Sequence, residues 1–149
     1  GETADALPAD GPADFGFVAA FGTYGRMVLD TFAGTFHKDM VLPQYTTSTA
    51  GLRLTAVELE EAYARLLAMD PLSYPTDFVP KQTGGVTPNE AYYLRIRVDG
   101  VEKEIRWDDT TLSDDCKAMA LRDWFKWLQE LVYSKPEYKA LPDFRGGYA

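Results

Sequence analysis

One cysteine and one histidine are all this sequence has of the side chains most used in metal centres and nucleophilic catalysis. Cys116, standing alone, excludes an intrachain disulfide and a cysteine-built metal site. Any catalytic triad would have to form around His37, yet none of Ser48, Ser73, Ser113 and Ser134 lies in a G-x-S-x-G setting. His37 reads as a strand residue on the side opposite Phe36, a satisfied or solvated imidazole rather than a general base. Cys116 falls in the first turns of an amphipathic helix and reads as a small buried residue. No run of about 18 apolar residues occurs, so no helix of the sequence spans a bilayer.

Positive charge is scarce as well. Lys and Arg number 15 against 23 Asp and Glu, a net charge of −8 that repels phosphate backbones. The densest cationic stretch, Arg95 to Arg106, is interleaved with Glu102 and Glu104, so nucleic acid is not an expected partner. Gly22-x-x-Gly25 and Gly84-Gly85 lack the spacing and the following Lys of a phosphate cradle and read as turns. Asp108-Asp109 and Asp114-Asp115 form the best acidic cluster, but they lack the alternating acids and closing Glu of a calcium loop. A strand-end turn explains the first pair and a helix N-terminus the second, so no metal, cofactor or catalytic set is expected.

What is present describes one ordinary domain. A chain of 149 residues, 46% apolar and 26% charged, can bury a core without staples. Residues 1–14 are small, acidic and proline-broken, with Leu7 the only large apolar side chain, and are expected to form a flexible acidic tether ahead of a single domain at 15–149. The chain opens on Gly1 rather than Met; such a tether suits an exported or lipid-anchored protein whose signal segment is trimmed away.

Within the domain, Phe15, Phe17, Ala19 and Phe21 alternate at the strand period. Strands then follow over Arg26–Phe32 and from Thr35 to about Leu42, where Pro43 stops the meander. Asp30, Lys38 and Asp39 read as solvated charges on the sheet face. Thr55 and Glu58 make a capping box for a helix over Ala56–Met69, with Glu61 and Arg65 an i,i+4 pair on its outer side. Asp99-Gly100 suits a type I′ turn between Tyr92–Val98 and Val101–Trp107. That loop length sets Tyr92 opposite Trp107, Leu94 opposite Ile105 and Val98 opposite Val101 on the core side. It sets Arg95 opposite Glu104 and Arg97 opposite Glu102, as ion pairs, on the wet side. Lys103 opposite Ile96 is the misfit, tolerable if its stem packs and its ammonium reaches water. A last helix begins after Ser113 with Asp114 and Asp115 in its first turn, shows an apolar stripe from Leu121 to Val132 with Trp127 on its flank, and closes at Pro136. The order βββ-α-ββ-α predicts an α+β, two-layer fold: a mostly antiparallel sheet of about five strands with two helices on one face.

Two features exceed what that fold requires. Three Trp, nine Tyr and eight Phe are more rings than two helical stripes and a sheet face obviously need. The connection Asp70–Asn89 carries Pro71, Pro75, Pro80 and Pro88 together with Tyr74 and Phe78. Long structureless connections are often functional, and prolines lower the entropy cost of presenting aromatics; the alternative is that both rings fold back onto the sheet edge. Tyr74, Phe78, Tyr92 and Trp127 are therefore the candidate binding residues.

Leu29-Asp30-Thr31-Phe32-Ala33-Gly34-Thr35-Phe36-His37-Lys38-Asp39-Met40 resembles a pattern in uncharacterised bacterial lipoprotein-like domains. So do Asp70-Pro71-Leu72-Ser73-Tyr74-Pro75 and the closing stretch from Pro136-Glu137-Tyr138-Lys139 to Gly146-Gly147-Tyr148. The resemblance implies a small exported domain and assigns no functional residue. The expectation is a non-enzymatic, extracytoplasmic module tethered to the bacterial envelope, touching the membrane only through a removed anchor and binding a peptide, protein or glycan. The alternatives are a hydrolase using Asp108 or Asp109, and a structural subunit docking by its sheet edge.

Overall fold

A computed structural model describes residues 7–9, 14–40, 47–80, 89–110 and 113–142. Within them the chain forms β1 (Phe15–Phe21), β2 (Met27–Asp30), β3 (Thr35–Asp39), β4 (Thr47–Gly51), α1 (Ala56–Met69), β5 (Glu90–Val98), β6 (Val101–Asp109), α2 (Cys116–Ser134) and α3 (Pro136–Lys139), with a single 3-10 turn at Pro71–Ser73. The strands make one antiparallel sheet in the order β4-β3-β2-β1-β5-β6. The fold is thus α+β, with one strand and one short helix more than expected. Strand β4, Thr-Ser-Thr-Ala-Gly, has no apolar alternation to betray it. Helix α2 ends at Ser134, just before Pro136 as expected, and Pro136 itself opens the additional α3, where its missing N–H is harmless. The expected continuation of β3 to Leu42, residues 81–88 of the connection, most of the leader and the tail 143–149 lie outside the described residues.

Local chemistry fixes the main elements. The Thr55 hydroxyl accepts from the Glu58 backbone N–H at 3.1 Å, while Glu58 Oε1 accepts from the Thr55 N–H at 2.8 Å. At the other end Asp70 turns left-handed (φ 56°) and its N–H reaches Leu66 and Leu67 oxygens before Pro71 stops the helix. Asp99 (φ 47°) and Gly100 (φ 85°) give the primed turn, and the β5–β6 register is the expected one throughout. Asp115 is the N-cap of α2 rather than a first-turn residue: its side chain accepts from the Lys117 N–H at 3.1 Å. Cys116, just inside that cap, is exposed, which corrects the expected burial.

Both long helices pack on one side of the sheet. Phe15 meets Tyr63 of α1 at 5.0 Å between centroids, Phe17 meets Trp124 of α2 at 5.4 Å, and the Trp124 indole N–H donates to the Ala62 carbonyl at 3.3 Å. Much of the surplus of aromatics is accounted for here. An unbroken run of ring contacts leads from Phe15 through Phe17, Trp124, Phe125, Tyr92, Trp107 and Phe78 to Tyr74, each step 4.7 to 5.8 Å. Tyr74 is 2% exposed, Phe78 7% and Tyr92 8%, so these three are core, not presented surface.

The segment after α1 is strapped down at several points. Tyr74 O–H donates to the Lys117 carbonyl at 2.7 Å, Lys117 Nζ donates to both the carbonyl and hydroxyl of Ser73 at 2.8 Å, and Lys103 Nζ donates to the Tyr74 carbonyl. Lys103, the expected misfit on the core side, thus finds a carbonyl rather than bulk water. Thr76–Phe78 runs beside β6, with Arg106 N–H on the Thr76 oxygen (2.6 Å) and Phe78 N–H on the Arg106 oxygen (2.8 Å). Lys38 and Asp39 also depart from expectation. Both are buried, Lys38 with its ammonium 4.8 Å from the Tyr138 ring centre and Asp39 beside the Arg26 guanidinium at 3.5 Å. Leu7 packs partly buried against the core and Tyr63 O–H donates to the Pro8 carbonyl at 2.6 Å, so this part of the leader is docked.

If Tyr74 is a core strut, Tyr74→Phe removes one hydrogen bond and should cost about 1 kcal/mol. Tyr74→Ala opens a cavity and should cost about 3 to 5 kcal/mol. Urea midpoints at constant m-value measure both; a surface ring would leave the Ala variant within about 0.5 kcal/mol of the parent.

Candidate functional site

Of the four expected binding residues, three are enclosed in the core as described, and the sheet and helix packing that buries them leaves their rings no free face. Trp127 alone is half-buried at the surface, with the Arg65 guanidinium 5.0 Å over its ring. Beside it, an open groove of about 210 Å³ between α1 and α2 is lined by Arg65, Ala68, Met69, Ala120, Asp123 and Trp124.

The acids expected to serve a hydrolase do not converge. Asp108 and Asp109 are consecutive strand residues and project to opposite faces. Asp109 is 1% exposed, and its Oδ2 accepts from Arg122 Nε (3.1 Å) and Nη2 (2.9 Å); Arg122 also reaches the Ser113 carbonyl. Glu90 lies directly opposite Asp109; the residue remains exposed, and partial desolvation against the sheet, followed by that neighbouring charge, raises its carboxyl above the usual range. Burial, followed by Glu90 and Asp109, pushes the Tyr92 hydroxyl up to about 12. Asp108 shares a groove of about 460 Å³ with Asp77, Phe78, Val79, Arg106, Trp107 and Thr110 at the outer edge of β6, but both of its carboxylates are exposed. General acid catalysis needs a carboxyl shielded from water or crowded by another.

Two other arrangements were invisible in sequence. Ser73 Oγ and Lys117 Nζ are 2.8 Å apart. A serine–lysine nucleophile needs a lysine stripped of water, whereas Lys117 is exposed and donates to two oxygens of Ser73, the pattern of a charged strap. His37 Nδ1 lies 2.8 Å from the Thr49 hydroxyl, a cross-strand pair between β3 and β4. Among the described residues no group of three His, Cys, Asp or Glu is placed to hold a metal. Nor is any helix there long and apolar enough to cross a membrane.

A coherent surface does appear on the sheet face away from the helices. The registers align Glu104, Arg95, Val18, Asp30, Thr35 and Gly51 in one row across all six strands. Arg106, Tyr93, Ala20, Val28, His37 and Thr49 form the next, and Glu102, Arg97 and Gly16 a third. Down the middle, β1 contributes only Gly16, Val18 and Ala20, a low track between taller flanks. The Asp30–Gly34 turn fixes one flank: the Asp30 carboxylate accepts from the Phe32 and Ala33 N–H groups at 2.9 and 3.0 Å, and Gly34 takes φ 70°. Phe32 is thereby laid over Gly16, where an added Cβ would stand 2.5 Å from the ring. The Arg97 and Arg95 guanidinium carbons lie 4.4 and 5.9 Å from the Phe32 centroid, and Arg106 lies 5.9 Å from that of Tyr93.

The cross-strand ion pairs expected here do not form, although the register is as expected. Glu104 turns along its own strand to Arg106 at 2.9 Å, and Arg97 has Asp14 at 3.8 Å as its nearest carboxylate. The i,i+2 contact on β6 competes with the contact across to β5, and sequence gives no means of ranking the two.

No known family model matches the chain, and no curated protein is similar to it in sequence.

The raised Glu90 carboxyl carries a pH signature. Its folded-state value exceeds its unfolded one, so the cost of ionising it is full above the folded value and absent below the unfolded value, about 4.3. Glu90→Gln should therefore be more stable than the parent at neutral pH, and that advantage should disappear once the pH falls below about 4. Urea midpoints of the two proteins across the acid range test this.

Proposed function

We propose that this protein is a non-enzymatic binding module that engages a peptide or protein partner through the open face of its sheet. The observation that carries the reading is the one-sided construction. The helices and nearly all large apolar side chains lie on one face, while the other aligns Phe32, Tyr93, Arg95, Arg97 and Arg106 around the low track of β1. Tyr and Arg are enriched at protein interfaces and among the residues that dominate their binding energy, Tyr through its large rigid ring and Arg through its charged fork. The proline-rich connection has a structural role in this reading, and binding moves from its aromatics to the sheet. The exported, envelope-tethered setting suggested by the N-terminal composition and the lipoprotein-like resemblance belongs to the same proposal.

Docking by a sheet edge has its own support. Strand β4 pairs only with β3, so its outer side has no partner strand among the described residues, whereas β6 is flanked by Thr76–Phe78.

One experiment separates the two. A benzophenone side chain is placed singly at Tyr93 on the open face, at Ser48 on β4, and at Val57, 71% exposed on α1. It is then activated in cells of the source organism. Adducts from Tyr93 that excess unlabelled protein suppresses, and that Phe32→Asp weakens, are expected. Adducts from Ser48 alone move the reading to the edge. Adducts from Val57 alone, or equal labelling at all three, reject it.

A further inference from the structure

We propose that Arg95 and Arg97, braced by Phe32, form a subsite that captures a carboxylate side chain on an extended segment of a partner protein. The inference rests on the open-face reading and deepens it by giving the partner's chemistry.

The argument begins with donors left unused. Arg95 makes no hydrogen bond and no ion pair among the described residues, and Arg97 has only the distant carboxylate of Asp14, beyond hydrogen-bond reach. The Nε atoms of both are shielded from water without an acceptor. A charged donor shielded from water and left unpaired is costly, and a carboxylate brought up to the exposed part of the guanidinium offsets that cost, the Arg97 side chain being 42% exposed. Acids do lie nearby, but each is engaged or turned aside. The Asp30 carboxylate closes its own turn, Glu104 is held by Arg106, Asp14 stands off, and Glu102 is exposed without a partner among the described residues. Two guanidinium groups thus remain available in a chain whose net charge is −8.

Their geometry suits a carboxylate. Arg95 and Arg97 are alternate residues on one face of β5, about 7 Å apart along the strand. The Phe32 ring lies against both, and Gly16 beneath it leaves room for that position. Guanidinium groups held over a ring lose less freedom on binding than free ones, and their planar forks match a carboxylate bidentately. An extended segment laid along β1 would set alternate side chains on one face with the same spacing. An acid between the arginines then places an apolar neighbour two residues on, over Val18 and Val28. A polyanion fits poorly, because Glu102, Glu104 and the overall charge oppose it. The occupant is therefore a segment of alternating acidic and apolar residues.

The test uses the full chain, labelled with nitrogen-15, and the peptide acetyl-Gly-Glu-Val-Glu-Val-Gly-amide as probe. The side-chain Nε–Hε signals of Arg95 and Arg97 are followed in a titration. The expected result is a saturable shift of both signals and of β1 and β5 amides, with the Kd weakened about tenfold in Arg95→Gln. Phe32→Ala, which leaves the charges in place, should weaken binding in the same direction. Replacing Glu by Gln in the peptide should abolish the shift. Circular dichroism melts confirm that both variants are folded. Equal shifts with sulfate or acetate alone would overturn the proposal in favour of a free-anion site. No shift at either arginine would overturn it too. If benzophenone at Tyr93 still captures a partner in that case, the open-face reading stands and only the acidic chemistry falls; if it does not, both fall.

Discussion

The run of ring contacts from Phe15 to Tyr74 is the interaction on which the rest of the structure depends. It crosses from β1 to α2, back to β5 and β6, and out to the segment that follows α1. Each ring pair contributes about 0.5 to 1.5 kcal/mol beyond the area it buries, so the run ties α2 and the connection to the sheet. It also decides the fate of the proline-rich connection. With Tyr74 and Phe78 inside, the Pro71–Ser73 turn and the Thr76–Phe78 pairing become a cover for the β6 edge, and the prolines limit the freedom lost in forming it.

Because the apolar demand is met on one face, the other is free of that duty. Gly16, Val18 and Ala20 on β1 would make a weak core, yet they stand at the centre of the sheet, with β2 and β5 on either side. Their smallness matters on the open face, where it gives Phe32 a seat and leaves a low track between arginines and His37. The charges follow the same division. Asp109 on the helix side is held by Arg122, whereas Arg95 and Arg97 on the open side keep unfilled donors. The first arrangement holds α2 to the end of β6; the second suits capture of something external.

Much of the framework was legible in the sequence because it rests on contacts a few residues apart. The Thr55–Glu58 box, the Asp99-Gly100 turn and the register it imposes are local, and the structure shows each of them. Strand β4 was not legible, since a short edge of small polar residues carries no periodic signal. The burial of Lys38 and Asp39 needed Tyr138 and Arg26, and the burial of Tyr74 needed the backbone of α2, 43 residues away. Less of the candidate surface could be read. The residues of Arg95, Arg97, Glu102 and Glu104 were plain, but as two closed ion pairs they would have masked the unused donors.

The sequence by itself determined that the chain is acidic and α+β, where its principal helices and hairpins begin and end, and which side of each faces a core. Those properties follow from capping, turn chemistry and periodicity, which act over one or two turns of chain. The tertiary structure alone decided which aromatics are interior, which acid each arginine meets, and which face of the sheet the helices cover. Those outcomes depend on competition among groups far apart in sequence, and only the packed arrangement sets the distances that settle it.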